Sequence, residues 1–102
     1  MSDQTAVVRL EATLTGRVHG VGFRYFVLGE ALALGLVGWV ANLPDGSVKC
    51  VAEGRRDRVE RLAVRLREGP PAAVVDQVSL TWLAASGALP AFEVRSGAHR
   101  GD

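Results

Sequence analysis

The sequence contains few cysteine, lysine and aromatic residues. The shortage of cysteine excludes the most, namely internal disulfides and cysteine-based metal sites. Among its 102 residues Cys50 is the single cysteine, so no disulfide can form within the chain. No cluster of Cys and His has the spacing of a zinc or iron–sulfur site. We therefore expect no metal, no cofactor, and a reducing, cytoplasmic setting.

Long apolar runs and an excess of charge are also missing. No stretch approaches the roughly 20 apolar residues that cross a bilayer, and residues 1–5 lack the pattern of a signal peptide. Twelve basic and eleven acidic residues give a net charge of +1, whereas a nucleic-acid-binding domain of this size is usually more basic. The composition therefore favours neither a membrane nor a nucleic acid as a partner.

What is present fits one globular domain. Hydrophobic residues make up 48% and charged residues 23% of the chain, the usual mix for a folded domain of this size. We predict a folded domain over residues 6–96, a flexible N-terminus over 1–5 and a flexible tail over 97–102. No large exposed apolar stripe demands a second copy, so we expect a monomer.

Two hydrophobic periods predict the order β-α-β-β-α-β. Apolar and polar residues alternate over 6–15, as in a half-buried strand, and the spacing over 23–34 and 59–66 is helical. Further strands are predicted at 37–42, 47–53 and 77–82, with a short fifth at 92–95. This order is typical of an α+β ferredoxin-like sandwich, in which two helices cover one face of an antiparallel sheet.

That topology predicts where a site would form. The first two strands run parallel with the third between them, so their C-terminal ends share one edge of the sheet, about 10 Å apart at ~4.8 Å per strand. The loop after strand one and the end of strand two should therefore face a common site.

The segment GRVHGVGFR, residues 16–24, joins the first strand to the first helix. Gly16, Gly20 and Gly22 let successive N–H groups point into one concavity, and the helix N-terminus adds further donors. Arg24 would add a forked, permanently charged donor. A glycine-rich turn with a solvated arginine is also common, and the segment matches neither a Walker loop nor a dinucleotide fingerprint. Spacing alone leaves an anion site and an ordinary turn both open.

The string GRVHGVGFR resembles the signature loop of the acylphosphatase family, Gly-x-Val-Gln-Gly-Val-x-Phe-Arg. A second segment, GWVANLPDGSV at 38–48, resembles the other signature of the family, and the similarity extends over residues 7–95. The resemblance implies the βαββαβ sandwich and hydrolysis of the carboxyl–phosphate bond of acyl phosphates, without a metal or a phosphoenzyme. Inorganic phosphate would be both the product and a competitive ligand.

The resemblance also implies site residues. Arg24 falls on the phosphate-binding arginine of the family, and Asn42 falls on the asparagine that orients the attacking water. Two positions depart from the family pattern: His19 replaces the usual Gln, and Ala41 replaces an Arg common before the Asn. His19 either tunes phosphate binding or, as loop side chains more often do, points outward. The loop residues implied to surround the phosphate are Gly16, Arg17, Val18, His19, Gly20, Val21, Gly22, Phe23 and Arg24.

Two other functions compete with hydrolysis. An RNA-recognition module shares the element order, but it stacks bases on aromatic residues in strands one and three, and these strands contain none here. A regulatory domain of the same fold could bind a phosphorylated ligand without turning it over. The presence of Asn42 beside Arg24 favours catalysis, because a pure binder needs no residue to orient water.

Several reactive side chains are expected to have no catalytic role. Cys50 lies in the core-facing register of strand three, which indicates a buried thiol rather than a nucleophile. The carboxylates of Glu53, Asp57 and Glu60 fit a solvated strand end and helix start rather than a metal site.

Overall fold

A computed structural model describes residues 3–96. The predicted tail, 97–102, and residues 1 and 2 lie outside the described residues. Across the described part, no helix is long and apolar enough to cross a bilayer. The elements are β1 (Val7–Arg17), α1 (Phe23–Ala33), β2 (Val37–Asn42), β3 (Val48–Arg55), α2 (Arg56–Glu68), β4 (Val74–Ala84) and β5 (Glu93–Arg95).

The five strands form one sheet in the order β4-β1-β3-β2-β5. Both β1 and β2 pair antiparallel with β3, and β5 runs parallel to β2 at the edge. Strands β1 and β2 are therefore parallel with β3 between them, and the predicted α+β ferredoxin-like arrangement is confirmed. Their C-terminal ends meet at one edge of the sheet, which we call the loop edge.

Alternation in β1 decides which face of the sheet carries the helices. Its even-numbered residues, from Val8 to Leu14, are at most 7% exposed, whereas Arg9, Glu11 and Thr13 are only half-buried. Burying one large aliphatic side chain contributes about 1.5–3 kcal/mol, so this face holds the sheet against both helices. The helix residues buried against it are Phe23, Val27 and Ala31 of α1 and Val59, Leu62, Ala63 and Leu66 of α2.

Strand β1 continues two residues further than the alternation predicts, and this shortens the loop. A bulge between Thr15 and Gly16 shifts the register with β4, which lets Gly16 and Arg17 remain paired. Gly16 has φ 121°, and a Cβ there would lie 2.2 Å from the carbonyl oxygen of Val74, so only glycine fits. The connection to α1 therefore consists of residues 18–22.

The chain crosses the whole sheet between β4 and β5, and Glu53 holds this crossover, residues 85–92. Glu53 is 2% exposed, and its carboxylate accepts hydrogen bonds from Ser86 N at 2.9 Å, Ser86 Oγ at 2.8 Å and Gly87 N at 3.1 Å. Arg9 Nη1 adds an ion pair at 3.2 Å. The expectation that Glu53 sits at a solvated strand end is therefore wrong. The residues that donate to Glu53 lie more than 30 positions away in the chain, so the hydrophobic pattern around Glu53 could not indicate them.

Candidate active site

The connection between β1 and α1 ends in a left-handed helix cap. Gly22 has φ 78° and ψ 20°, a conformation that glycine adopts without a steric penalty, and its carbonyl oxygen accepts the first helical bond from Phe26 N at 3.0 Å. The amides of the first turn of α1 have no helical acceptors, so they are available to a ligand. That turn also holds no acidic side chain that would compete for them. This end of α1 suits an anion.

A cavity of about 180 Å³ lies at the loop edge of the sheet. Gly20 and Gly22 of the connection, Arg24 of α1 and Asn42 of β2 all line it, together with the apolar side chains of Val18 and Phe23. The strand order thus brings the loop and the end of β2 to one cavity, as the sequence predicts. Main-chain groups, one guanidinium and one carboxamide converge there.

Arg24 is half-buried in the first turn of α1. Its Nη1 lies 3.5 Å from the carbonyl oxygen of Arg95 in β5. The guanidinium of Arg95 in turn lies over the ring of Trp39, 5.1 Å from its centroid, and pairs with Glu93. The edge strand β5 therefore reaches Arg24 through a main-chain atom, which leaves no trace in the sequence.

Asn42 is the last residue of β2, and its partner in the ladder is Val48 of β3. The residue is 8% exposed, and its side-chain oxygen Oδ1 is buried. Pairing with the central strand β3 fixes the backbone of Asn42 at the end of β2. The carboxamide is thus held at the end of a strand, whereas Arg24 is held at the start of a helix.

The other four positions of the segment 16–24 do not line the cavity. Gly16 and Arg17 belong to β1, and Val21 packs partly buried against the hydrophobic core. His19 is exposed, and its Nε2 lies 2.8 Å from the carbonyl oxygen of Ser47. The segment therefore divides into residues that face the cavity and residues that shape or hold the loop.

Tyr25 lines the cavity as well, although nothing in the sequence analysis singled it out. It follows Arg24 in the first turn of α1 and is 68% exposed. An aromatic residue at an outward-facing position of a helix start, next to the expected phosphate arginine, is the feature that could have revealed it.

Cys50 lies away from the cavity, with its side chain completely buried in the core. Burial raises the pKa of the thiol to about 12, because the core disfavours the charged thiolate. The prediction of a buried thiol is confirmed. In residues 3–96 no three His, Cys, Asp or Glu side chains are grouped so that they could hold a metal ion.

Comparison with known proteins identifies this arrangement. The family model for acylphosphatase matches residues 10–94, nearly the whole described chain. The chain belongs to the acylphosphatase family. As a member of the acylphosphatase family, it is 49% identical over 92 residues to the acylphosphatase of Trichormus variabilis, and the match covers 90% of each chain.

Solved acylphosphatase structures share the fold. The crystal structure of acylphosphatase from Bacillus subtilis superposes with a TM-score of 0.83 at 34% identity, covering 86% of this chain and 98% of that one. An acylphosphatase from Coxiella burnetii gives a TM-score of 0.83 at 39% identity, covering 88% and 94%. The family and the fold implied by the two signature segments are both confirmed.

Proposed function

We propose that this chain hydrolyses the carboxyl–phosphate bond of acyl phosphates to a carboxylate and inorganic phosphate. The loop residues Gly20 and Gly22, Arg24 and Asn42 line one cavity together, and this arrangement supports the reaction. The acylphosphatase relatives support the same reaction.

The phosphate is held by main-chain amides and by Arg24. We assign the segment 16–24 as the phosphate loop, within which the cavity-lining residues Gly20, Gly22 and Phe23 are best placed for direct contact. The N-terminus of α1 adds its positive end, and the fork of Arg24 adds a permanent charge. These groups are fixed before the substrate arrives, so they stabilise the charge that develops on the phosphoryl oxygens at little cost in reorganisation.

The chemical step needs little more than positioning, because a carboxylate leaves readily without a general acid. The carboxamide of Asn42 forms a hydrogen bond with a water molecule and orients it so that a lone pair of the water oxygen points toward phosphorus. The bond from water oxygen to phosphorus forms as the bond from phosphorus to the acyl oxygen breaks, and its electron pair leaves with the carboxylate. Asn42 is too weak a base to take the proton, which passes to a non-bridging phosphate oxygen of the substrate.

We further propose that the chain needs neither a metal nor a cofactor, acts as a monomer in the cytoplasm, and binds neither nucleic acid nor membrane. The lone thiol supports a reducing compartment, since Cys50 has no partner for a disulfide within the chain. Product phosphate should compete with the substrate, because both offer the same oxygens to the loop and to Arg24.

Hydrolysis of a simple acyl phosphate such as acetyl phosphate, measured with excess chelator, tests the proposal. We expect turnover that survives chelation and is inhibited competitively by inorganic phosphate. A folded chain that binds phosphate but releases no carboxylate would be a binding module, and the proposal would then be wrong.

A further inference from the structure

His19 lies in the middle of the phosphate loop but makes its hydrogen bond outside the cavity. Its Nε2 is 2.8 Å from the carbonyl oxygen of Ser47. A carbonyl oxygen can only accept, so Nε2 must carry the proton and donate. The bond joins two segments that lie 28 residues apart in the chain.

The acceptor belongs to a turn that is itself firmly built. Ser47 is 2% exposed, and Asp45 Oδ1 accepts from its hydroxyl at 2.6 Å and from its amide at 2.9 Å. These two bonds, the hydroxyl first, lower the pKa of the Asp45 carboxyl. The same Ser47 carbonyl oxygen also accepts from Leu43 N at 2.9 Å. The oxygen that receives the His19 bond is therefore held in place from two sides.

This turn follows Asn42 directly and leads back into the partner strand. Asn42 pairs with Val48, so residues 43–47 close the hairpin that fixes the carboxamide. The phosphate loop contains three glycines at positive φ, Gly16, Gly20 and Gly22, and glycine loses more conformational freedom on ordering than any other residue. The side-chain bond from His19 to Ser47 thus joins the half of the site that would hold the phosphate to the half that holds Asn42.

We infer that His19 is a positioning residue, whose Nε2–H bond to Ser47 sets the phosphate loop against the turn that carries Asn42. The inference rests on the proposed function, because what it positions is bound phosphate relative to the water on Asn42. The Gln that the family pattern has at this position also ends in an N–H donor, at nearly the same reach as Nε2. The bond therefore accounts for a departure from the family pattern that would leave the chemistry intact.

Three substitutions separate the effect of the hydrogen bond to Ser47 from the effects of the imidazole ring and its charge. In His19→Gln the side-chain amide nitrogen reaches about as far as Nε2 and can donate to Ser47. In the matched control His19→Asn the same amide is one methylene shorter and falls short. His19→Ala removes the donor altogether.

We expect His19→Ala and His19→Asn to lower kcat/KM for acetyl phosphate by roughly five- to tenfold, the scale of one lost hydrogen bond and a small misplacement. Part of this loss should fall on kcat, because the phosphate and the water are no longer held at a fixed separation. His19→Gln should restore kcat and the inhibition constant of phosphate to within about twofold of wild type. A residue that only stabilised the fold would change the melting temperature and leave kcat unchanged.

Amide hydrogen exchange of residues 18–22, measured without any substrate, provides a second readout. Exchange should be faster in His19→Ala and His19→Asn than in wild type and His19→Gln. The inference is overturned if His19→Gln falls together with the other two, since the ring rather than the bond would then matter, or if His19→Ala leaves kcat and exchange unchanged. If wild type shows no hydrolysis, the proposed function fails, while the exchange comparison still decides whether His19 holds the loop.

Discussion

At each of two opposite ends of the sheet, backbone amides and one guanidinium lie close together. The two regions differ in the source of the anion that these groups bind. At the end away from the loop edge, the carboxylate of Glu53 lies among the amides of Ser86 and Gly87 and the guanidinium of Arg9. At the loop edge, the amides around Gly20 and Gly22 and the guanidinium of Arg24 line an open cavity.

The same kind of chemistry stabilises the fold at one end of the sheet and would bind a ligand at the other. Glu53 is 2% exposed and supplies its own negative charge, so its site is closed and ties the crossover 85–92 to the central strand. Gly20 and Gly22 are exposed, and the anion they would hold must arrive from solution. Changes near Glu53 should therefore act on stability, and changes at the loop edge should act on turnover.

The largest expected effect is at the loop edge. Arg24→Ala should lower kcat/KM for acetyl phosphate by roughly 10³-fold or more, because a charged clamp on the transition state is lost. Its free energy of unfolding should stay within about 1 kcal/mol of wild type, since the residue is only half-buried at a helix end. Steady-state kinetics and urea unfolding measure the two quantities. Near-normal turnover in the folded variant would remove Arg24 from the site.

Asn42→Ala should come next, with kcat reduced by roughly 10²-fold, the scale of a misplaced reactant. The inhibition constant of inorganic phosphate should change little, because the loop and Arg24 remain. Kinetics with phosphate as inhibitor separates the two parameters, and a circular dichroism spectrum checks the fold. A large loss of phosphate affinity with unchanged kcat would make Asn42 a binding residue instead.

Glu53→Ala should show the reverse pattern. It removes from a buried position the carboxylate that accepts from Ser86 and Gly87, while the half-buried Arg9 keeps its other partner, Glu11, and this loss costs about 1–3 kcal/mol in the free energy of unfolding. The matched control Glu53→Gln keeps an acceptor oxygen and should lose less. Urea unfolding gives both values, and kcat of the folded fraction should match wild type. A strong loss of kcat in folded Glu53→Gln would mean that the two ends of the sheet are coupled.

The smallest effect is a pH dependence at the closed site. Burial by itself would raise the pKa of the Glu53 carboxyl, but hydrogen bonds from Ser86, Gly87 and Arg9 outweigh it and hold that pKa below the ordinary value of 4.5. Because the folded pKa is the lower one, this stabilisation is present above pH 4.5 and is lost as the pH falls further. Wild type should therefore lose more stability than Glu53→Gln between pH 5 and 3. Parallel pH profiles would contradict the assignment.

The sequence predicts the fold where its patterns are local. Alternation in β1 and the apolar stripe of α2 gave the correct elements, and β2 was predicted with its observed bounds. Strand β4 was predicted too short at both ends, and at its start the reason is that the first residues pair with Gly16 and Arg17 only beyond a bulge. A register shift depends on the partner strand, so no periodicity within β4 could indicate it.

The site residues that could be predicted are those whose side chains belong to recognisable sequence segments. Arg24 and Asn42 lie in the two segments that resemble the acylphosphatase signatures, and the strand order brings them to one cavity. The partners of His19 and Arg24 are the carbonyl oxygens of Ser47 and Arg95. Every residue type carries a carbonyl oxygen, so the sequence contains no sign of either contact.

The cavity at the loop edge, and not the group of amides around Glu53, is expected to receive an anion from solution. Titrating the ¹⁵N-labelled chain with inorganic phosphate and following the backbone amide shifts tests this directly. The amides of residues 18–25 should shift with a common saturating dependence that is greatly weakened in Arg24→Ala, while Ser86 and Gly87 stay unmoved. Saturating shifts at Ser86 and Gly87 instead, or loop shifts unaffected by Arg24→Ala, would mean that the loop edge is not the anion site.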